Sequence, residues 1–165
     1  MGGEGWARGV GGEPGEGVRL GMPFFHGTTD DRLPSIRRHG LGGVDTGPRS
    51  EPCARGVYLA CDPRLAVQMV ILHYLNSGGE PGMPGPRAFL EAVRVIVVDD
   101  ARLDHARLRP DPQVGGWTGA WLYEGVVDVT NAPVVTAADV ERGFAGEEPG
   151  RWGWRETGKP GEREA

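Results

Sequence analysis

The chain has 165 residues, enough for one domain with a modest core. A formal charge of −5 argues against a non-specific nucleic-acid binder, which carries a basic stripe, but not against a nucleic-acid substrate held by a few local arginines. No apolar run approaches the length of a membrane-crossing helix, and the N-terminal residues lack the basic and apolar regions of a secretory signal, so a cytoplasmic location is expected.

Much of the glycine, 13 of 29, lies at the two ends, in MGGEGWARGVGGEPGEG and GEEPGRWGWRETGKPGEREA. Neither end has the periodic apolar positions of a packed element, so residues 1–17 and 146–165 are expected to be tails flanking a domain at 18–145. Trp6 stands where a myristoylation signal needs Ser or Thr. Cys53 and Cys61 cannot form a four-ligand zinc site unaided, and no nearby histidine pair completes one; they read as reduced thiols, with no metal implied.

In chain order, MPFFHGT predicts a short strand closed by Gly27. DDRLPSIRRHGL predicts a short helix capped by Asp30 or Asp31, with Leu33 and Ile36 inward, stopped by Gly40 with Leu41 packing back. GGVDTGPRSEPCAR is a loop. GVYLA predicts a strand with Val57 and Leu59 on one face and Tyr58 on the other. CDPRLAVQMVILHYL is the clearest helix, capped by Asp62 with Pro63 in its first position. NSGGEPGMPGPR connects it to AFLEAVRVIVVDD, read as one strand with a continuous apolar run at Val95 to Val98. ARLDHARLRPDP predicts a helical turn or two ending at Pro110. Two further strands are expected at Gly125–Thr130 and Pro133–Thr136, and TAADVERGF ends in a capped turn. Short strands mixed with short helices give an α+β class.

Three stretches set polar groups beside strand-forming apolar residues: FHGTT, RGVYLACDP and LYEGVVDV. Each has an ordinary explanation, namely a structurally satisfied histidine, a half-buried core tyrosine and a solvated glutamate at a strand end. Their order and context, HGT entering a helix that ends GL, then GVYLA feeding a helix, then YEGVVDV, resemble the ADP-ribosyltransferases of the diphtheria-toxin and poly(ADP-ribose)-polymerase type. The likeness spans about residues 23–140. It implies a split, mostly antiparallel β-sheet core with short flanking helices, NAD as substrate, and His, Tyr and Glu on three strand elements.

On that resemblance, His26 would bond the adenosine-side ribose of NAD. Gly27 would offer its backbone N–H and C=O to the nicotinamide carboxamide, where a side chain would hinder approach. Thr28 would lie close to the dinucleotide. Tyr58 would stack on the nicotinamide ring, a contact worth on the order of 1 kcal/mol beyond burial. Glu124 would accept a hydrogen bond from the 2′-OH of the nicotinamide ribose and stabilise the positive charge that develops as nicotinamide leaves, more strongly in dry surroundings. Arg32 and Arg55 would pair with the pyrophosphate. Glu91 is a rival for the catalytic carboxylate.

The chain departs from the family in two places. The polymerase members carry a second tyrosine on the helix after the GVYLA-like strand; here Ala66-Val67-Gln68-Met69 stands there, Met69 is the substitute, and Tyr74 comes more than a turn late. Leu122 occupies the position where arginine-modifying toxins carry a second acid or amide, which points away from arginine as acceptor. The expected activity is mono-ADP-ribosylation of a protein or nucleic-acid acceptor chosen by the loop between Leu41 and Gly56. Two alternatives stand beside it. An RNA 2′-phosphotransferase shares the HGT…I…GL start, but has histidine where Tyr58 stands and an upstream Arg-His pair where only Arg19 is found. A non-catalytic module binding NAD or ADP-ribose is the other. No Rossmann GxGxxG fingerprint is present, and no heptads indicate an oligomer.

Overall fold

Side-chain alternation builds the sheet. In Phe24–Thr29 (β1), Phe24 joins one apolar cluster and Phe25 another, on opposite faces. Val57–Ala60 (β2) repeats the pattern: Val57 and Leu59 join Phe24's cluster and Ala60 joins Phe25's. The computed structural model describes residues 21–43, 56–77, 82–111 and 119–144; the expected tails, Cys53 and Arg55 lie outside the described residues. Among the described residues four more strands complete a six-stranded sheet: Val93–Val98 (β3), Leu108–Pro110 (β4), Ala120–Tyr123 (β5) and Val134–Thr136 (β6). Their order is β4-β5-β2-β1-β3-β6, and every neighbouring pair is antiparallel. With helices Leu33–His39 (α1), Pro63–Asn76 (α2), Pro86–Ala92 (α3) and Ala137–Phe144 (α4), the fold is α+β.

Each face of the sheet has its own cover. Ile36 of α1, Leu41, Val127, Val129 and Ala132 pack with Phe24, Leu59, Trp121 and Tyr123 on one side. Ala66 of α2 and Val140 of α4 pack with Phe25, Ala60 and Val95 on the other. No helix among the described residues is long and apolar enough to cross a membrane.

The helix ends follow local chemistry. Asp62 Oδ1 accepts the Arg64 N–H at 2.7 Å, and Pro63 takes the first position, where its missing donor costs nothing. The expected Asp30 or Asp31 cap of α1 is not made. Arg32 is the cap residue and no side chain caps the turn, because Arg94 on β3 draws the Asp30 carboxylate aside at 2.6 Å. Helix α1 ends at Gly40 with φ 80°, its N–H returning to the Ile36 carbonyl at 2.8 Å. Leu41 and Val127 then exchange two backbone hydrogen bonds, at 2.9 and 3.0 Å, and a Cβ on Gly40 would come within 2.8 Å of the Val127 carbonyl oxygen.

At α4 the cap is reciprocal. Asp139 Oδ2 accepts from the Thr136 N–H at 3.0 Å and from its hydroxyl at 2.7 Å, while Thr136 Oγ1 accepts the Asp139 N–H at 3.0 Å. These bonds from Thr136 hold the Asp139 carboxyl below its usual range. Thr136→Ala is expected to cost about 1 kcal/mol of stability, read from the midpoint of urea unfolding.

Three expectations give way to the structure. AFLEAVRVIVVDD is not one strand: α3 ends at Ala92 and β3 begins at Val93, so Glu91 is helical and ion-paired with Arg87 four residues earlier at 3.1 Å. Pro86 in the first turn starts a helix that the apolar Phe89-Leu90 pair disguises. Gly125–Thr130 is not a strand either. It alternates in a period of two, yet its pairing is the single bridge from Val127 to Leu41. The glutamate expected to open that strand instead follows the last residue of β5.

Candidate functional site at the parting of two strands

Strand β1 pairs with β3 along all six of its residues but with β2 only at Phe25↔Ala60. The next residue is His26. Its ring Nδ1 lies 2.8 Å from the Tyr58 carbonyl oxygen, so a side chain fills the place of the next ladder bond. A carbonyl can only accept, so Nδ1 carries the proton in this bond. Burial lowers the pKa of His26 below its ordinary 6.5 and the nearby Arg32 cation adds to that, against the opposing pull of the Tyr58 carbonyl. The imidazole is therefore neutral at neutral pH, with Nε2 an acceptor.

The ladder also fixes where the Gly27 backbone faces. Asp30 N–H donates to the Ala92 carbonyl at 3.0 Å, continuing the β1–β3 register, so even-numbered residues of β1 turn their N–H and C=O toward β3. Odd-numbered residues turn theirs toward β2. On that edge Gly27 has no ladder pairing, and it is partly exposed. The same logic on β2, where Cys61 N–H donates to Gly119 at 2.9 Å, turns the Tyr58 backbone toward β1. Beyond Phe25↔Ala60 the two strands thus face each other across a gap in the ladder, which the His26 ring bridges.

Gly27 has a second reason to lack a side chain. A Cβ there would lie 2.3 Å from the Ala66 carbonyl oxygen and 2.4 Å from Val70 Cγ2, both on α2. The close crossing of α2 over β1 demands glycine whether or not a ligand approaches.

Tyr58, Leu122 and Arg109 form one cross-strand row, with Tyr58 opposite Leu122 on β5 and Leu122 opposite Arg109 on β4. Glu124 follows Leu122 by two residues, and its N–H donates to the Arg107 carbonyl at 2.9 Å, extending the β4–β5 ladder one step. Glu124 is therefore on the same face as Tyr58 and diagonal to it, at a backbone separation of about 7–8 Å. Its Oε1 lies 2.7 Å from Arg109 Nη2, and both side chains are about half exposed, at 56% and 50%.

Family models, curated proteins and solved structures give no match to this chain.

His26 and Gly27 on β1, Tyr58 on β2 and Glu124 just after β5 lie around the end of the sheet where β1 and β2 part. Arg32, the first residue of the α1 turn, is close enough to His26 to disfavour its protonation. Thr28 is only 5% exposed, which leaves little of it to touch a ligand. Tyr74 is committed elsewhere: its ring stacks on Phe89 at 3.9 Å and its hydroxyl donates to the Pro84 carbonyl at 2.6 Å. Met69 is partly buried on α2, one turn beyond Ala66. Sequence reasoning missed Arg109, whose only signal is its alternation with the apolar Leu108 in an unrecognised strand.

The depressed pKa of His26 makes stability pH-dependent. The unfolded chain takes up a proton near 6.5, and the folded chain does so only at lower pH. Stability is thus full above the unfolded value and falls as pH drops through the folded one. In His26→Asn, whose amide N–H can still reach the Tyr58 carbonyl, urea unfolding from about pH 7.5 to about pH 5 is expected to show a shallower loss than in the wild type.

Proposed function

We propose that the chain is an NAD-dependent mono-ADP-ribosyltransferase with a split-sheet core of that family's type. The observation that carries the reading is the parting of β1 from β2 after Phe25↔Ala60, with a neutral histidine, a free glycine backbone edge and a tyrosine around the gap. His26 shares strand parity with Phe24, and Tyr58 with Ala60, so the two side chains belong to opposite faces of the sheet. A ligand touching both must reach from one face of the sheet to the other at this unpaired stretch, which suits a long, two-lobed dinucleotide.

Each group has work to do there. His26 Nε2 accepts a hydrogen bond from a ribose hydroxyl. Gly27 N–H donates to the carboxamide oxygen of nicotinamide and its C=O accepts from the carboxamide amine, a two-point grip that orients the base. Tyr58 lays its ring on the nicotinamide. Glu124, diagonal to Tyr58, accepts from the 2′-OH of the attached ribose. As the bond from nicotinamide nitrogen to ribose carbon breaks, its electron pair leaves with nicotinamide and positive charge grows on the sugar, where the carboxylate opposes it. Glu124 is half exposed without ligand, so the drier surroundings that would strengthen this effect come from the bound NAD itself. Arg32, near His26, would pair with the pyrophosphate charge.

The acceptor attacks from outside the gap. Residues 44–55 join Gly43 to Gly56, and Gly42 and Gly56 both abut the stretch around Glu124: a Cβ on Gly42 would meet the Gly125 carbonyl oxygen at 2.6 Å, and one on Gly56 the Tyr123 carbonyl oxygen at 2.8 Å. This supports acceptor selection by the segment between Leu41 and Gly56, of which residues 44–55 lie outside the described residues.

The test is to incubate the protein with NAD and candidate protein and nucleic-acid acceptors, following free nicotinamide and acceptor mass. Nicotinamide release with a gain of one ADP-ribose unit on an acceptor is the expected result. Tight NAD binding with neither release nor mass gain would replace the reading with a non-catalytic binding module.

A further inference from the structure

The carboxylate assigned to the nicotinamide ribose stands at the end of a strand, where a half-exposed glutamate has several staggered rotamers open to it. One neighbour singles out an orientation. Arg109 rises from β4 opposite Leu122, on the face that Glu124 shares, and its Nη2 reaches Glu124 Oε1 at 2.7 Å. The backbones beneath both residues are tied by the bond from Glu124 N–H to Arg107 O. Arg107, the other arginine on this side, pairs through Nε with Asp104 at 3.3 Å.

We infer that Arg109 is a positioning residue: it holds Glu124 by Oε1 so that Oε2 is presented to the ribose hydroxyl. This rests on the transferase reading given above. A half-exposed pair adds little to stability, so its removal leaves the fold in place. Its effect is on geometry, where a displacement of about 1 Å costs on the order of 10²-fold in rate. The contact is an ion pair at the surface, which an ammonium on a flexible stem can also make.

The experiment compares nicotinamide release by the full chain as wild type, Arg109→Gln, Arg109→Lys, Glu124→Gln and the double variant Arg109→Gln/Glu124→Gln, with NAD varied. Arg109→Gln is expected to lower kcat by roughly ten- to a hundred-fold with little change in KM for NAD. Arg109→Lys is expected to restore most of that loss. In the double variant the loss is expected to be no greater than in Glu124→Gln alone, because the two groups act as one. If the wild type releases nicotinamide and Arg109→Gln matches its kcat, the positioning role is overturned while the transferase reading stands. Additive losses in the double variant overturn it too, by showing that Arg109 acts apart from Glu124. A wild type that binds NAD and releases nothing overturns both.

Discussion

Glu124→Gln is expected to slow nicotinamide release from NAD by about 10²–10³-fold while NAD still binds and the protein still folds. The substitution keeps shape and removes charge. What it takes from the folded state is one half-exposed ion pair with Arg109, a contact of small stabilising value. What it takes from the proposed reaction is the carboxylate that would oppose positive charge on the ribose. On the proposed reading, binding rests on other groups: the imidazole of His26, the backbone edge of Gly27 and the ring of Tyr58. The check is paired, with nicotinamide quantified by chromatography under single-turnover conditions and NAD affinity measured by calorimetry. A variant that releases nicotinamide at the wild-type rate would show that the carboxylate lies outside the chemistry.

Gly27→Ala is expected to lose about 1–3 kcal/mol of stability, read from the shift in urea midpoint. Gly27 is extended and needs no unusual backbone angle; the cost is collision. The new methyl would lie 2.3 Å from the Ala66 carbonyl oxygen and 2.4 Å from Val70 Cγ2, so α2 must lift from β1. Adding Val70→Ala removes the side-chain collision but leaves the backbone one, so only part of the loss should return. Full recovery in the double variant would mean that α2 shifts along the strand without resistance. An unchanged Gly27→Ala would mean that it never packs so closely.

Local chemistry that decides a local outcome was legible in the sequence. Asp62-Pro63 announces the start of α2, and Gly40-Leu41 announces the end of α1 and the return of its chain to the core. The alternation of Val57, Tyr58 and Leu59 about β2 was equally plain. Failures came where a partner distant in sequence overrides the local pattern. Asp30 is an ordinary cap residue until Arg94, on another strand, takes its carboxylate. Gly125–Thr130 alternates like a strand, but its apolar side chains Val127 and Val129 pack into the core beside Leu41 without a ladder to join. Leu108-Arg109-Pro110 is too short and too polar to read as a strand, and it becomes one only because β5 lies beside it. The site divides the same way. HGT and GVYLA draw attention by composition, whereas the pairing of Arg109 with Glu124 exists only once the register of two short strands is known.

The single backbone pair between β1 and β2 makes the molecule a thing of two panels with one stitch. Strands β4, β5 and β2 form one panel, and β1, β3 and β6 the other. Each is hydrogen-bonded within itself. Across the seam they are kept in line by apolar packing, by the His26 bond to the Tyr58 carbonyl, by α2 lying over it and by the clip from Leu41 to Val127 on the far side. Packing tolerates a small change of angle that a full ladder would forbid. The seam is therefore the line along which this sheet can flex without unfolding, and the proposed site has been built astride it.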